Sequence, residues 1–118
     1  MTHKETIEEL AYEIKALLSK HNMDGDTCIY FNDKRLQCLT TNRPRGWRLE
    51  EGYDPTDYTE YCNSDTITMT FEGIRSMYNV VNGYENKVTF MEEFEELLDM
   101  YGYYYELGNA WNLTLYET

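Results

Sequence analysis

Apolar residues recur along this chain at two different periods, and the switches between them mark out the elements. Ile7, Leu10, Ala11, Ile14, Leu17 and Leu18 fall on one face at the 3.6-residue spacing, which predicts a helix over residues 3 to 21. Thr2 and Glu5 ahead of it carry a capping-box signature, and Lys20 and His21 stand in the last turn, where the helix dipole favours positive charge. Met23-Asp24-Gly25 is the exit. The period then drops to two. Thr27 to Phe31 is β-branched and aromatic, and Arg35 to Thr40 follows a short Asn32-Asp33-Lys34 turn, a hairpin pattern. A three-residue loop would set Cys28 opposite Cys38, where a cross-strand disulfide is conceivable and two buried thiols are the alternative.

Thr66 to Phe71 alternates throughout, with Ile67, Met69 and Phe71 turned to a core and the threonines turned out or paired with neighbours. Glu72-Gly73 breaks that strand. Ile74, Met77, Tyr78 and Val81 suggest a short helix closed by Asn82-Gly83. Phe90, Phe94, Leu97, Leu98 and Tyr101 form the stripe of a second long helix, Thr89 to Tyr101, with Thr89 and Glu92 as its capping box and Gly102 as its stop. Tyr103 to Leu107 and Ala110 to Glu117 flank a Gly108-Asn109 turn, a second hairpin.

This order predicts a single α+β domain over residues 1–118. It has about five mostly antiparallel strands (two hairpins plus a central strand) with helices packed on one face. An irregular insert occupies about 42–64. Within it, Asp54-Pro55-Thr56-Asp57 reads as an N-cap, a proline at the first helical position and an acid in the first turn. A short helix from about Pro55 to Cys62 would put Tyr58, Tyr61 and Cys62 on one side.

Composition narrows the function. The chain has 118 residues, enough for one core, and 42% of them are hydrophobic. With 22 acidic and 10 basic residues the net charge is −12, beyond the magnitude of roughly 2 to 8 that solubility alone calls for in a small domain. That balance repels nucleic acid and anionic membrane and attracts basic surfaces. No apolar run approaches the roughly 20 residues of a membrane span, no signal-peptide core opens the chain, and the three cysteines show no CxxC spacing. A cytoplasmic protein with reduced thiols is the expectation. Twelve tyrosines are the second anomaly. Tyrosine suits binding surfaces, since it offers large contact area for little rotamer entropy, and it also fills small cores with its hydroxyl at water.

Familiar catalytic sets are missing. The two histidines, His3 and His21, sit near a terminus and at a helix end, far from a nucleophile–base pair. Zinc spacing, an EF-hand and a glycine-rich phosphate loop are all absent from the sequence. With 22 acids, some carboxylate pair falls at any chosen distance, so a pair alone carries no weight. No catalytic residue is assigned, and neither metal nor cofactor is expected.

Two acidic clusters are the candidate chemistry. On the second long helix Glu92, Glu96 and Asp99 form a row flanked by Glu93 and Glu95, with no lysine or arginine on that helix. On the first, the row Glu5, Glu9, Glu13 is partly neutralised by Lys4 and Lys15. Successive i, i+4 carboxylates lie about 6 Å apart along the axis, inside the Debye length of roughly 10 Å. Such a row either is a solvated face or presents a nucleic-acid-like field to an arginine-lined groove. In the insert, Glu50, Glu51, Asp54, Asp57 and Glu60 alternate with Tyr53, Tyr58 and Tyr61. Acids steer toward a basic partner and tyrosines supply desolvated contact. The alternative is a capping layer over one end of the sheet, with Trp47, Tyr58 and Tyr61 buried. Arg43, Arg45, Trp47 and Arg48 form the one basic cluster, read as internal neutralisation of the acids downstream or as a secondary contact.

In size, charge and lack of a catalytic set, the chain resembles the small acidic inhibitors carried by phages and mobile elements: anti-CRISPR, antirestriction and nuclease-immunity proteins. The resemblance is one of type and matches no motif. It implies a non-enzymatic cytoplasmic protein that occupies the basic nucleic-acid groove of a host enzyme and contacts neither nucleic acid nor membrane itself. The alternatives are an accessory domain or immunity protein with a mainly apolar interface, and an enzyme on a small pocket. A carboxylate of raised pKa beside Trp47 or Trp111 would promote the last.

Overall fold

The first apolar stripe forms the longest helix. In the computed structural model, which describes residues 1–73 and 75–118, α1 runs from His3 to Lys20. Its capping box forms as the sequence predicts: Glu5 N–H donates to Thr2 Oγ1, and Thr2 N–H donates to the Glu5 carboxylate, each at 3.1 Å. The Thr2 backbone bond is the main reason the Glu5 carboxyl sits below its ordinary pKa. His21 is the C-cap rather than the last helical residue. Ile7, Leu10, Ala11, Ile14 and Leu18 are buried, and Leu17 lies at the edge of the stripe, half-buried.

Six strands follow, one more than expected: β1 (Thr27–Phe31), β2 (Lys34–Cys38), β3 (Arg48–Glu51), β4 (Thr68–Phe71), β5 (Tyr103–Asn109) and β6 (Asn112–Glu117). They form one sheet in the order β3-β2-β1-β4-β6-β5, with every neighbouring pair antiparallel. The extra strand is β3, which lies within the insert and sets Leu49 opposite Leu36.

Both hairpin turns differ from the expected registers by a small slip. The first has two turn residues, Asn32 and Asp33, at φ 49° and 60°. Their short polar side chains tolerate the left-handed region, and such a turn matches the twist of the flanking strands. Cys28 therefore faces Gln37, and Cys38 faces Thr27. A slip of one residue exchanges faces, so the two thiols lie on opposite sides of the sheet; all three cysteines are free. In the second hairpin, Asn109 pairs with Asn112 and the turn falls at Ala110-Trp111. Gly108 lies inside β5 at an irregularity between Leu107 and Asn109.

Helix α2 (Met77–Val81) ends at Asn82 as expected and buries Met77; Ile74, assigned to it from sequence, lies outside the described residues. Helix α3 (Val88–Tyr101) starts one residue before the expected Thr89, with Lys87 at the N-cap and no side-chain capping bond. Thr89 thus sits inside the first turn, and the Thr89–Glu92 capping box does not form. Gly102, at φ 83°, ends the helix in the left-handed conformation.

Helices α1 and α3 pack antiparallel on one face of the sheet. Lys20 at the end of α1 meets Glu93 near the start of α3, and Tyr101 at the end of α3 meets Glu9 early in α1. Ile29, Phe31, Leu36, Met69, Phe71, Leu113 and Leu115 supply the sheet's side of the core. The alternate residues Cys28, Tyr30, Arg35, Gln37, Thr68, Thr70, Asn112 and Thr114 turn to the other face. Among the described residues, no helix is long and apolar enough to cross a membrane.

Candidate functional site

The insert crosses the helix-free face of the sheet. The Tyr61 carbonyl accepts from Asn112 Nδ2 at 2.9 Å and from Thr114 Oγ1 at 2.8 Å, and Asn63 N–H donates to Thr68 Oγ1 at 3.1 Å. Gly108 lies directly beneath: a Cβ there would overlap both Tyr61 and Asn112 Oδ1. Glycine inside the strand lets the Tyr61 and Asn112 side chains close onto its backbone. The same crossing explains why the expected helix from Pro55 to Cys62 is a single 3₁₀ turn, Pro55–Asp57. Its start reads as expected, with Asp54 Oδ1 accepting from Thr56 N–H at 2.9 Å. Beyond Thr59 the backbone bonds outward to β6 and β4 instead of continuing its own helical ladder.

Part of the acid-and-tyrosine stretch is consumed in holding this layer down. Tyr58 stacks on Tyr30 at 5.6 Å between centroids, and Tyr53 stacks on Tyr58 at 5.9 Å. The Arg35 guanidinium lies 4.0 Å from the Tyr53 centroid while its Nη2 donates to Glu50 at 2.5 Å. Lys34 reaches Glu51 at 4.0 Å. Tyr58 and Tyr61 remain 48% and 50% exposed, alongside exposed Asp57 and Glu60. The expected capping layer therefore exists without burying either ring. Trp47 is not part of it. It packs at the margin of the main core, its Nε1 donating to Ser19 Oγ on α1 at 2.9 Å.

The basic cluster braces its own loop. Arg43 Nη1 donates to the carbonyls of Thr40 and Asn42, each at 2.8 Å, and Arg48 Nη2 donates to those of Arg43 and Pro44. Among the described residues, neither of them nor Arg45 forms an ion pair with the acids downstream. Internal neutralisation falls to Arg35 and Lys34, which the sequence reading did not single out.

The second acidic cluster lies across the sheet, on the helical layer. Glu92, Glu95, Glu96 and Asp99 are exposed, with no base in ion-pair range among the described residues. Glu93 behaves differently. It accepts from His21 at 2.6 Å and from Lys20 at 3.0 Å, clamping α1 to α3, and the His21 bond first and Lys20 second hold its carboxyl below the ordinary range. On α1, Glu9 accepts from the Tyr101 hydroxyl at 2.9 Å, and Lys15 lies over the Tyr12 ring rather than in an ion pair. Of the 22 acidic residues, only Glu8, Glu50, Glu51, Glu85 and Glu93 form ion pairs among the described residues.

Sequence reasoning missed the cleft between these helices. Ala16, Leu17, Leu97 and Met100 line a cavity of about 310 Å³, with Glu13 on one bank, Glu93 and Glu96 on the other, and Lys20 at one end. Met100 is 81% exposed. Its place off the buried stripe of α3 was the available signal. The two acidic clusters thus belong to opposite sides of the molecule and cannot share one flat interface.

A concavity of about 390 Å³ also opens beneath Tyr58 and Trp111, with Cys28, Tyr30 and Thr70 among its lining. Burial pushes the Cys28 thiol up, which keeps it protonated and poorly nucleophilic at neutral pH. The carboxylates with displaced pKa values, Glu5, Asp54 and Glu93, all move down, and none of them lines this cavity. The chain matches no protein-family model, no curated protein and no solved structure.

Proposed function

We propose that this protein is a non-enzymatic inhibitor whose α1–α3 face docks on the basic nucleic-acid-binding surface of a host enzyme, in the manner of anti-CRISPR proteins. The observation that carries this reading is the exposed row Glu92, Glu95, Glu96 and Asp99, which has no cationic partner among the described residues. Its i, i+4 members repeat about every 6 Å on a rigid helix, so their fields add within a Debye length. Arginines and lysines lining a nucleic-acid groove are the complementary charge. Tyr58 and Tyr61, with Asp54, Asp57 and Glu60, form a second contact surface on the opposite side. Arg43 and Arg48 are occupied in bracing their loop, and with Arg45 they have no place in the primary contact.

The test is inhibition of a panel of RNA-guided and restriction nucleases, with guide or DNA as competitor. Glu92→Gln, Glu95→Gln, Glu96→Gln and Asp99→Asn together should abolish inhibition at moderate salt. Tyr58→Ala with Tyr61→Ala should weaken it less. Inhibition that survives both sets of changes would dismiss both surfaces. A second reading, an accessory domain with an apolar interface, is favoured by the exposure of Met100, Leu49 and Leu107. On that reading rising salt leaves binding unchanged, whereas charge competition loses on-rate steeply.

A further inference from the structure

The cleft between α1 and α3 has a shape that a purely electrostatic decoy does not need. We infer that it receives an amphipathic helix of the partner, whose apolar side chains enter the cleft while flanking lysines or arginines meet its acidic banks. This rests on the proposed docking face and specifies what that face grips.

The dimensions fit such an occupant. The lining runs from Glu13 to Lys20 on α1 and from Glu93 to Met100 on α3, about 10 Å along each axis at the helical rise. That is about two turns of an incoming helix, enough to seat two apolar side chains at i and i+3 or i+4. Ala16 is the small residue that leaves room between Leu17, Leu97 and Met100. Met100 is unbranched and adaptable, suited to re-packing around a guest.

Charge selects the guest. Glu13 on α1 and Glu96 on α3 stand on opposite banks of the apolar floor, and Lys20, the one cation among the described lining residues, is already held by Glu93 at 3.0 Å. At the far end, Glu9 and Glu13 lie beside Tyr101 with no cation in ion-pair range among the described residues, and the antiparallel helix dipoles offset each other. The potential therefore grows more negative from the Lys20 end toward the Glu9 end, so the guest's most basic turn belongs there. A second copy of this chain is the wrong guest, because it would bring its own net −12.

The test uses an 18-residue peptide of leucine and lysine with its leucines on one helical face, and a control of the same composition with them dispersed. Methionine methyl resonances report the outcome. The chain has six methionines, of which Met69 and Met77 are fully buried and serve as fold references. The amphipathic peptide should move the Met100 methyl saturably while leaving Met69 and Met77 in place. The dispersed peptide should bind about tenfold more weakly or worse, as the loss of one buried leucine implies. Ala16→Trp, which fills the cleft and leaves every carboxylate, should remove the Met100 response; Ala16→Lys repeats the test by charge instead of bulk. Equal binding of both peptides, or wild-type binding by both Ala16 variants with the fold references unmoved, would overturn the inference and leave the acidic row standing. If the four-residue carboxamide variant inhibits nucleases like wild type, the proposed docking face itself is lost, whatever the peptide does.

Discussion

Converting Glu92, Glu95 and Glu96 to glutamine and Asp99 to asparagine should make the folded protein more stable. Glu92–Glu96 and Glu95–Asp99 are i, i+4 pairs, and Glu92–Glu95 and Glu96–Asp99 are i, i+3 pairs, all on the exposed side of α3. Each like-charge contact costs about 0.2–0.5 kcal/mol, so relieving four of them returns about 1–2 kcal/mol. Glu96 and Asp99 also lie near the carbonyl end of a helix that stops at Tyr101, where the dipole opposes negative charge, so the dipole acts in the same direction. At about 2 cal/mol/K per residue, 118 residues give an unfolding entropy near 250 cal/mol/K, so 1 kcal/mol moves Tm by about 4 °C. Thermal melts followed by circular dichroism in about 10 mM salt should thus show the variant about 4–8 °C above wild type. In 1 M salt, where the Debye length is roughly 3 Å, the difference should nearly vanish. A gain on neutralisation would show that the row does not serve the fold. A variant that melts at or below the wild-type temperature in low salt would show that these carboxylates serve the fold, and their lack of partners would no longer argue for a docking role.

Three further outcomes follow from the packing. Gly108→Ala should drive the insert off the sheet and forfeit the two hydrogen bonds to the Tyr61 carbonyl, about 2 kcal/mol and thus a Tm lower by about 8 °C; an unchanged melt would refute the crossing. In an ultraviolet titration of tyrosinate, Tyr101 should ionise last, at about 12, because burial first and the Glu9 bond second disfavour its anion. Its folded pKa exceeds the unfolded value of about 10, so its contribution to stability is present below pH 10 and fades as pH rises toward 12; Glu9→Gln should bring the titration down. The Glu93 carboxyl is lowered in the folded state, so its contribution is present above the unfolded carboxylate pKa and lost as acid protonates it. Glu93→Gln should flatten the acid limb of the stability curve, and an acid limb identical to wild type would refute the clamp.

What was legible in the sequence was local. The capping box of α1, its buried stripe and the Gly102 stop are each decided within a few residues, and each forms as read. The α+β layering follows because alternating and 3.6-period segments have few ways to bury their apolar faces. The departures depend on groups distant in the chain or on a choice of one residue. Whether Asn32-Asp33 or Asn32-Asp33-Lys34 makes the turn decides which face Cys38 takes, and only the preference for two left-handed residues settles it. The path of the insert depends on Gly108 and Asn112, some fifty residues beyond it, so an N-cap and a proline could start a helix but not continue it. Glu93 looked like one more member of an unpartnered row because its partners, Lys20 and His21, lie on the other helix. The cleft was hidden because Ala16, Leu17, Leu97 and Met100 sit at the margins of two stripes, and margins meet only when the helices are set side by side.

The most direct test of the docking claim is a pair of affinity captures from the native host's lysate at low and moderate salt, read by mass spectrometry. Wild-type protein is the bait in one, and the variant with Glu92, Glu95, Glu96 and Asp99 converted to carboxamides is the bait in the other. The account predicts that wild type retains a nucleic-acid-processing enzyme at low salt, loses most of it at moderate salt or on adding that enzyme's own guide or substrate, and that the variant retains none. Recovery of the same proteins by both baits at both salt concentrations would contradict it.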